Sequence, residues 1–241
     1  MRLHYLQHVP FENPGSILTW AKEQDCTVTS TFLYNDEDLP SQSDYDWLVI
    51  MGGPMNIYDE KNYPWLTKEK SFIQEAVESG KIIIGLCLGG QLITDVIGGK
   101  VTKNPCLEIG WYPVRFTKNS MSYPVLSFFP ENPTVFHWHG DTFSELPEDA
   151  VCIAENDACS HQAFIYNNRI FGFQFHLEVT PKIISDLIDN CGDEMVPGQY
   201  VQSKNDLLLN KYITQANQWM NTFLTKLKNL EEGGMLNYES D

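Results

Sequence analysis

The chain has 241 residues, long enough for one large domain or a domain with an appended piece, and its 42% hydrophobic and 20% charged residues are those of an ordinary folded protein. A net charge of −16, from 16 Lys and Arg against 32 Asp and Glu, repels a phosphate backbone and argues against a nucleic-acid partner. No run of 18 apolar residues is present, so no membrane span is expected. Met1-Arg2-Leu3-His4-Tyr5 turns polar too early for a signal peptide, which makes the cytoplasm the expected location.

Leu3 to Gln7 reads as a first strand, followed by a turn at Pro10, Asn13, Pro14 and Gly15 and a short helix with Ile17, Leu18, Trp20 and Ala21 on one face. Thr27 to Leu33 is β-branched and aromatic, and Trp47 to Met51 is a buried strand stopping at Gly52-Gly53-Pro54. Thr67 is a plausible N-cap for a helix that turns Phe72, Ile73, Ala76 and Val77 inward and ends at Gly80. Lys81 to Ile84 is a further strand, and the period of Leu88, Leu92, Ile93, Val96 and Ile97 is helical. Strand and helix alternating in this order predict a parallel sheet covered on both faces.

After Lys100 the pattern changes to strands at 111–116, 134–139, 151–155, 163–166 and 170–175. A helix is expected from Thr180 to Asn190 with Pro181 in its first turn, and a last amphipathic helix carries Ile213, Ala216, Met220, Phe223, Leu224 and Leu227. The fold class is therefore α/β, a three-layer αβα sandwich with a mainly parallel central sheet. Residues 1–190 are expected to form the main domain. Residues 191–241 are expected to be a helical extension packed on it, with a frayed end after Glu231.

Six cysteines, at 26, 87, 106, 152, 159 and 191, include no CxxC pair, and only Cys87 has a reactive context. It is the centre of Gly85-Leu86-Cys87-Leu88-Gly89, between a buried strand and a helix. A sharp turn there holds the central residue in a strained conformation, needs small neighbours such as Gly85 and Gly89, and lifts the sulfur above the sheet edge. The helix start favours a thiolate, and the Leu88 N–H points where a carbonyl oxygen would become an oxyanion. A base is offered by His176 in Phe175-His176-Leu177-Glu178. In an extended segment His176 and Glu178 project to one side, so that Glu178 could orient the imidazole.

Gly85-Leu86-Cys87-Leu88-Gly89-Gly90-Gln91 and Phe175-His176-Leu177-Glu178 resemble the nucleophile and histidine motifs of class I, triad-type, glutamine amidotransferases, a flavodoxin-like fold. Within that family the chain is most similar to stand-alone domains related to the amidotransferase part of GMP synthase. The resemblance implies a Cys87–His176–Glu178 triad and an oxyanion hole from the N–H groups of Gly53, in Met51-Gly52-Gly53-Pro54, and Leu88. It also implies a substrate pocket with Gln91 and the loop His139-Gly140-Asp141. Leu88 and Gly90 depart from the Tyr and Met common in the family, which implies a reshaped pocket. The implied reaction is hydrolysis of L-glutamine or another γ-glutamyl amide through a γ-glutamyl thioester, releasing ammonia and glutamate without a cofactor.

No ATP-pyrophosphatase or Walker-type loop occurs in the 241 residues, so the ammonia acceptor would be a separate synthetase protein. Relatives of the family that cleave glutathione-like compounds make a γ-glutamyl peptidase the alternative. A non-catalytic binding or regulatory module on the same fold is a third reading. His137, His139 and Asp141 also fit a His-x-His-x-Asp metal pattern, but no further ligand cluster with suitable spacing follows, and no metal is expected. Glu108 lies in a segment that shares the family resemblance and admits a purely structural role, and His4, His8 and His161 have no site context in the sequence.

Overall fold

The computed structural model describes residues 1–208 and 212–235. Its main sheet has eight strands in the order β2-β1-β3-β4-β10-β9-β8-β6. The strands β1 (Arg2–Gln7), β2 (Thr27–Phe32), β3 (Trp47–Ile50), β4 (Ile82–Leu86) and β10 (Ile170–Phe173) run parallel. Three strands, β6 (Arg115–Phe116), β8 (Ala150–Glu155) and β9 (Ala163–Tyr166), extend the sheet antiparallel. The long strands β5 (Lys100–Pro113) and β7 (Thr134–Glu145) pair with each other as a separate antiparallel ribbon.

Alternation along the central strands builds a core on each face of the sheet. Trp47, Val49, Ile82 and Ile84 point into one cluster with Ile17 and Trp20 of α1 (Ser16–Glu23), Ile184 and Leu187 of α4 (Pro181–Cys191), and Met220 and Phe223 of α6 (Ile213–Glu232). Leu48, Ile50 and Ile83 point into the other, against Leu66, Phe72 and Ile73 of α2 (Trp65–Glu78) and Leu92 and Ile93 of α3 (Leu88–Val96). A short helix, α5 (Lys204–Leu207), precedes α6 and opens with a Ser203–Asp206 capping box. This is the expected three-layer αβα architecture.

Element ends differ from the sequence expectation where local chemistry decides them. Helix α2 begins at Trp65 after Pro64, whose fixed φ starts the helix without a side-chain cap, so Thr67 lies inside it. Thr180 does cap α4, accepting the Ile183 N–H at 3.3 Å with Pro181 in the first turn. The expected frayed end overlaps α6, which runs to Glu232, while residues 236–241 lie outside the described residues. Among the described residues no helix is long and apolar enough to cross a membrane.

Candidate active site

The carboxyl ends of β1, β3, β4 and β10 meet at one edge of the sheet, where open α/β folds place their ligands. Cys87 sits in the turn between β4 and α3 with φ 50°, a left-handed backbone for a non-glycine residue. Its N–H is tied to the Phe173 carbonyl at 2.7 Å, and the Gly89 N–H to the Met51 carbonyl at 3.1 Å. A Cβ at Gly89 would run into the Ile50 carbonyl, and one at Gly85 would meet Gly89 and Ile93. Those glycines let the turn pack onto its neighbours.

Strand β10 ends at Phe173, three residues before His176. The chain stays extended because Gln174 donates to the Gln162 carbonyl at 2.8 Å and His176 forms a bridge with Phe136 of β7. His176 Nδ1 lies 2.7 Å from Glu178 Oε1, and the Leu177 N–H donates to Glu178 Oε2 at 3.0 Å. With Nδ1–H given to the carboxylate, the other face of the imidazole is left for Cys87. Both residues are buried. Burial would lower the imidazolium, but the charge of Glu178 and the bonds to Cys87 and Glu178 outweigh it and hold His176 well above the usual histidine range. Burial pushes the Cys87 thiol up, opposed by His176 and by the Leu88 N–H.

Cys87 opens onto a cleft of about 250 Å³ whose walls include Glu12, Gly53, Gln91, Trp138, His139, Gly140 and Asp141. Among the described residues neither the Gly53 N–H nor the Leu88 N–H donates to a backbone carbonyl, and the Leu88 N–H faces the Cys87 sulfur. Gln91 donates to Gln174 Oε1 at 3.2 Å, and Gln174 in turn reaches Cys87 Sγ at 3.6 Å. His139 Nδ1 lies 3.0 Å from the Asp141 carbonyl, and Asp141 Oδ2 accepts from Asn56 at 2.8 Å. The structure thus brings all the sequence-predicted site residues to one place.

Other residues at the site carried no sequence signal. His8, which had no evident context, is fully buried beneath the Gly52–Gly53 segment, with Nδ1 3.0 Å from the Gly52 carbonyl and Nε2 2.8 Å from Glu69. A carbonyl only accepts, so Nδ1–H donates. Because the carbonyl and the next N–H of a trans peptide point opposite ways, this bond aims the Gly53 N–H away from the ring. Glu12, from the loop after β1, lines the cleft, and burial raises its carboxyl to about 7 against the pull of His176 and His8. Leu187, Cys191 and Glu194 bring the C-terminal part of the chain to the cleft, and Glu194 accepts the Trp138 indole N–H at 2.9 Å. A Pro-Phe-Glu-Asn-Pro loop or a lone acidic residue near a helix end announces none of this.

One group of residues could share a metal ion. Glu108, His137 and His139 are all buried, with ligand atoms within 4.8 Å of one another, and no other such cluster occurs among the described residues. The sequence pattern around His137 and His139 could not include Glu108, which lies upstream on β5 and reaches them only through the pairing of β5 with β7.

The profile of the family Glutamine amidotransferase class-I matches residues 17–193. The chain belongs to that family. Among its relatives, the glutamine amidotransferase-like protein YfeJ of Salmonella typhimurium is 33% identical over 94% of this chain and 97% of its own. The glutamine-hydrolyzing GMP synthase subunit of Picrophilus torridus is 30% identical over 71% of this chain and 90% of its own. Gamma-glutamyl peptidase 5 of Arabidopsis thaliana is 25% identical over 82% of this chain and 80% of its own. The crystal structure of SMU.1228c superimposes with a TM-score of 0.89 at 34% identity, covering 95% of this chain and 100% of that one.

Proposed function

We propose that this protein is a cytoplasmic cysteine amidohydrolase that cleaves the side-chain amide of L-glutamine, with Cys87 as nucleophile, His176 as general base and acid, and Glu178 as its orienting carboxylate. The observation that carries this reading is the meeting of a strained cysteine turn, a carboxylate-held histidine and two backbone N–H groups with no carbonyl partner among the described residues on one cleft. His176 takes the Cys87 proton, and the thiolate adds to the γ-carboxamide. The N–H groups of Gly53 and Leu88 receive the oxyanion, an interaction for which each donor is worth about 3 kcal/mol. As the tetrahedral adduct collapses, His176 gives its proton to the leaving ammonia. A water, deprotonated by the same ring, then hydrolyses the γ-glutamyl thioester to glutamate.

Gln91, His139, Gly140 and Asp141 bind the donor beside the nucleophile. The cleft also carries Glu12, Glu194 and Lys103, charges of both signs that suit the zwitterionic end of an amino acid. The likeness to the GMP synthase protein of Picrophilus torridus supports delivery of the ammonia to a separate synthetase subunit.

A γ-glutamyl peptidase is the second reading, favoured by the likeness to the Arabidopsis enzyme over most of its length. The same triad would serve it, with an amine as leaving group in place of ammonia. Purified protein incubated with L-glutamine or with a γ-glutamyl dipeptide, beside a Cys87→Ala control, separates the two. Cys87-dependent release of ammonia and glutamate from glutamine is the expected result. Cleavage of the dipeptide alone would shift the assignment to the peptidase, and cleavage of neither, with or without a synthetase partner, would refute the catalytic reading.

A further inference from the structure

We propose that Glu108, His137 and His139 form a buried binding site for one divalent transition-metal ion, of the kind that takes two imidazoles and a carboxylate in tetrahedral geometry, zinc before the others. The site lies behind the wall of the cleft and does not depend on the hydrolytic reading of Cys87.

The register of the β5–β7 ribbon builds it. Glu108 is paired with His139 and Gly110 with His137, so the three side chains share one face, and Gly110 puts no side chain opposite the His137 ring. All three are shut away from solvent. His139 Nε2 lies 3.0 Å from Glu108 Oε2, and His137 Nδ1 lies 3.8 Å from Glu108 Oε1. Ligand atoms at 2.0–2.1 Å around a tetrahedral zinc are about 3.3–3.4 Å apart, and the two spacings bracket that edge.

Hydrogen bonding alone does not satisfy the cluster. His139 Nε2 lies beside the Glu108 carboxylate and the His137 ring beside the Tyr112 backbone, but neither contact meets hydrogen-bond geometry, and no other partner is found for these nitrogens among the described residues. Eight buried side-chain polar atoms among the described residues lack a partner, and four of them are here: both nitrogens of His137, His139 Nε2 and Gln162 Oε1. Buried polar atoms without partners are few in folded proteins, and so many in one cluster call for a ligand. The surroundings are those of a metal site. The Asp141 carbonyl can only accept, so His139 Nδ1 carries the hydrogen there and Nε2 is the ring nitrogen that faces Glu108. Asn156 and Gln162 donate to the two oxygens of Glu108 at 2.7 and 2.8 Å. Ligands held from behind by a carbonyl and by amides are the usual second layer of protein metal centres. Because His139 borders the cleft as well, the ion would clamp the loop from His139 to Asp141 onto β5, a structural role. Its burial implies uptake during folding and slow exchange afterwards.

The test uses the full chain, unfolded with chelator and refolded with excess zinc or cobalt, then dialysed and analysed for metal by mass spectrometry. The expected result is one ion retained per chain, a higher melting temperature than the chelator-refolded protein, and visible absorption of tetrahedral cobalt without a thiolate-to-cobalt band in the near ultraviolet. H137A and E108Q should each lose the ion. Retention of well under one equivalent by the wild type would overturn the proposal. A thiolate band would overturn it too, by placing the ion at a cysteine, as would full retention by both variants. The wild-type comparisons stand even if a variant fails to fold.

Discussion

At the scale of single residues, two buried carboxylates at the cleft have opposite tasks. Glu178 takes the His176 ring on one oxygen and the Leu177 N–H on the other. Glu178→Gln keeps the shape but cannot hold the imidazole in its working tautomer, and should lower kcat by roughly 10²–10⁴-fold with little change in KM, measured by ammonia release. Glu12 has no such bonds, and its burial raises the carboxyl to about 7 from 4.5. The folded protein therefore holds this proton more tightly than the unfolded chain does, so stability from Glu12 is complete below about pH 4.5 and is lost as the pH rises toward 7. Glu12→Gln removes that loss. The variant should gain on the wild type between pH 5 and pH 8 by up to about 3 kcal/mol, visible as a widening difference in melting temperature. Parallel curves for the two proteins would show that Glu12 ionises as freely as a surface carboxylate.

At the scale of elements, the nucleophile turn was legible because its chemistry is local. A Gly-x-Cys-x-Gly between an apolar run and a helical period admits few conformations, and the observed φ of 50° at Cys87 is the one expected. The support of the Gly52–Gly53 peptide was not legible, since His8 and Gly52 are far apart in sequence and meet only because β1 and β3 are neighbours. His8→Ala should free the Gly52–Gly53 peptide to rotate and lower kcat roughly 10- to 100-fold, a part of what losing an oxyanion donor costs. Alkylation of Cys87 by iodoacetamide, which builds no oxyanion, should proceed at the wild-type rate. An equal loss in both assays would mean that the substitution damages the cysteine turn itself. The position of His176 was half legible: the spacing to Glu178 was readable, but the bridge to Phe136 that keeps the segment extended past β10 comes from tertiary structure.

At the scale of the whole molecule, layered order followed from periodicity. Alternation of Trp47, Leu48, Val49 and Ile50 between the two cores required helices on both faces, and the apolar face read for α6 is the buried one. Nothing in that periodicity showed what α6 does for the site. Its Asn217 donates to the carbonyls of Leu177 and Val179 at 2.8 and 3.0 Å, on either side of Glu178, while Ser16 of α1 donates to the carbonyl of Glu178 itself. The C-terminal helix thus holds the segment that carries Glu178 as well as covering the sheet. Asn217→Ala leaves two carbonyls without their donor and should cost about 1–3 kcal/mol in urea unfolding, with a fall in kcat that a mutation of the exposed face of α6 does not produce.

The central claim is that Cys87 alone, of six cysteines, is the nucleophile for a γ-glutamyl group. A chloroketone analogue of glutamine added to the native protein, followed by intact-mass and peptide mass spectrometry, tests it most directly. The account predicts a single adduct on Cys87, slowed by added L-glutamine or γ-glutamyl dipeptide and abolished in His176→Ala. Labelling spread over the more accessible Cys26, Cys106 and Cys152, with Cys87 unmodified and no protection by either substrate, would contradict it.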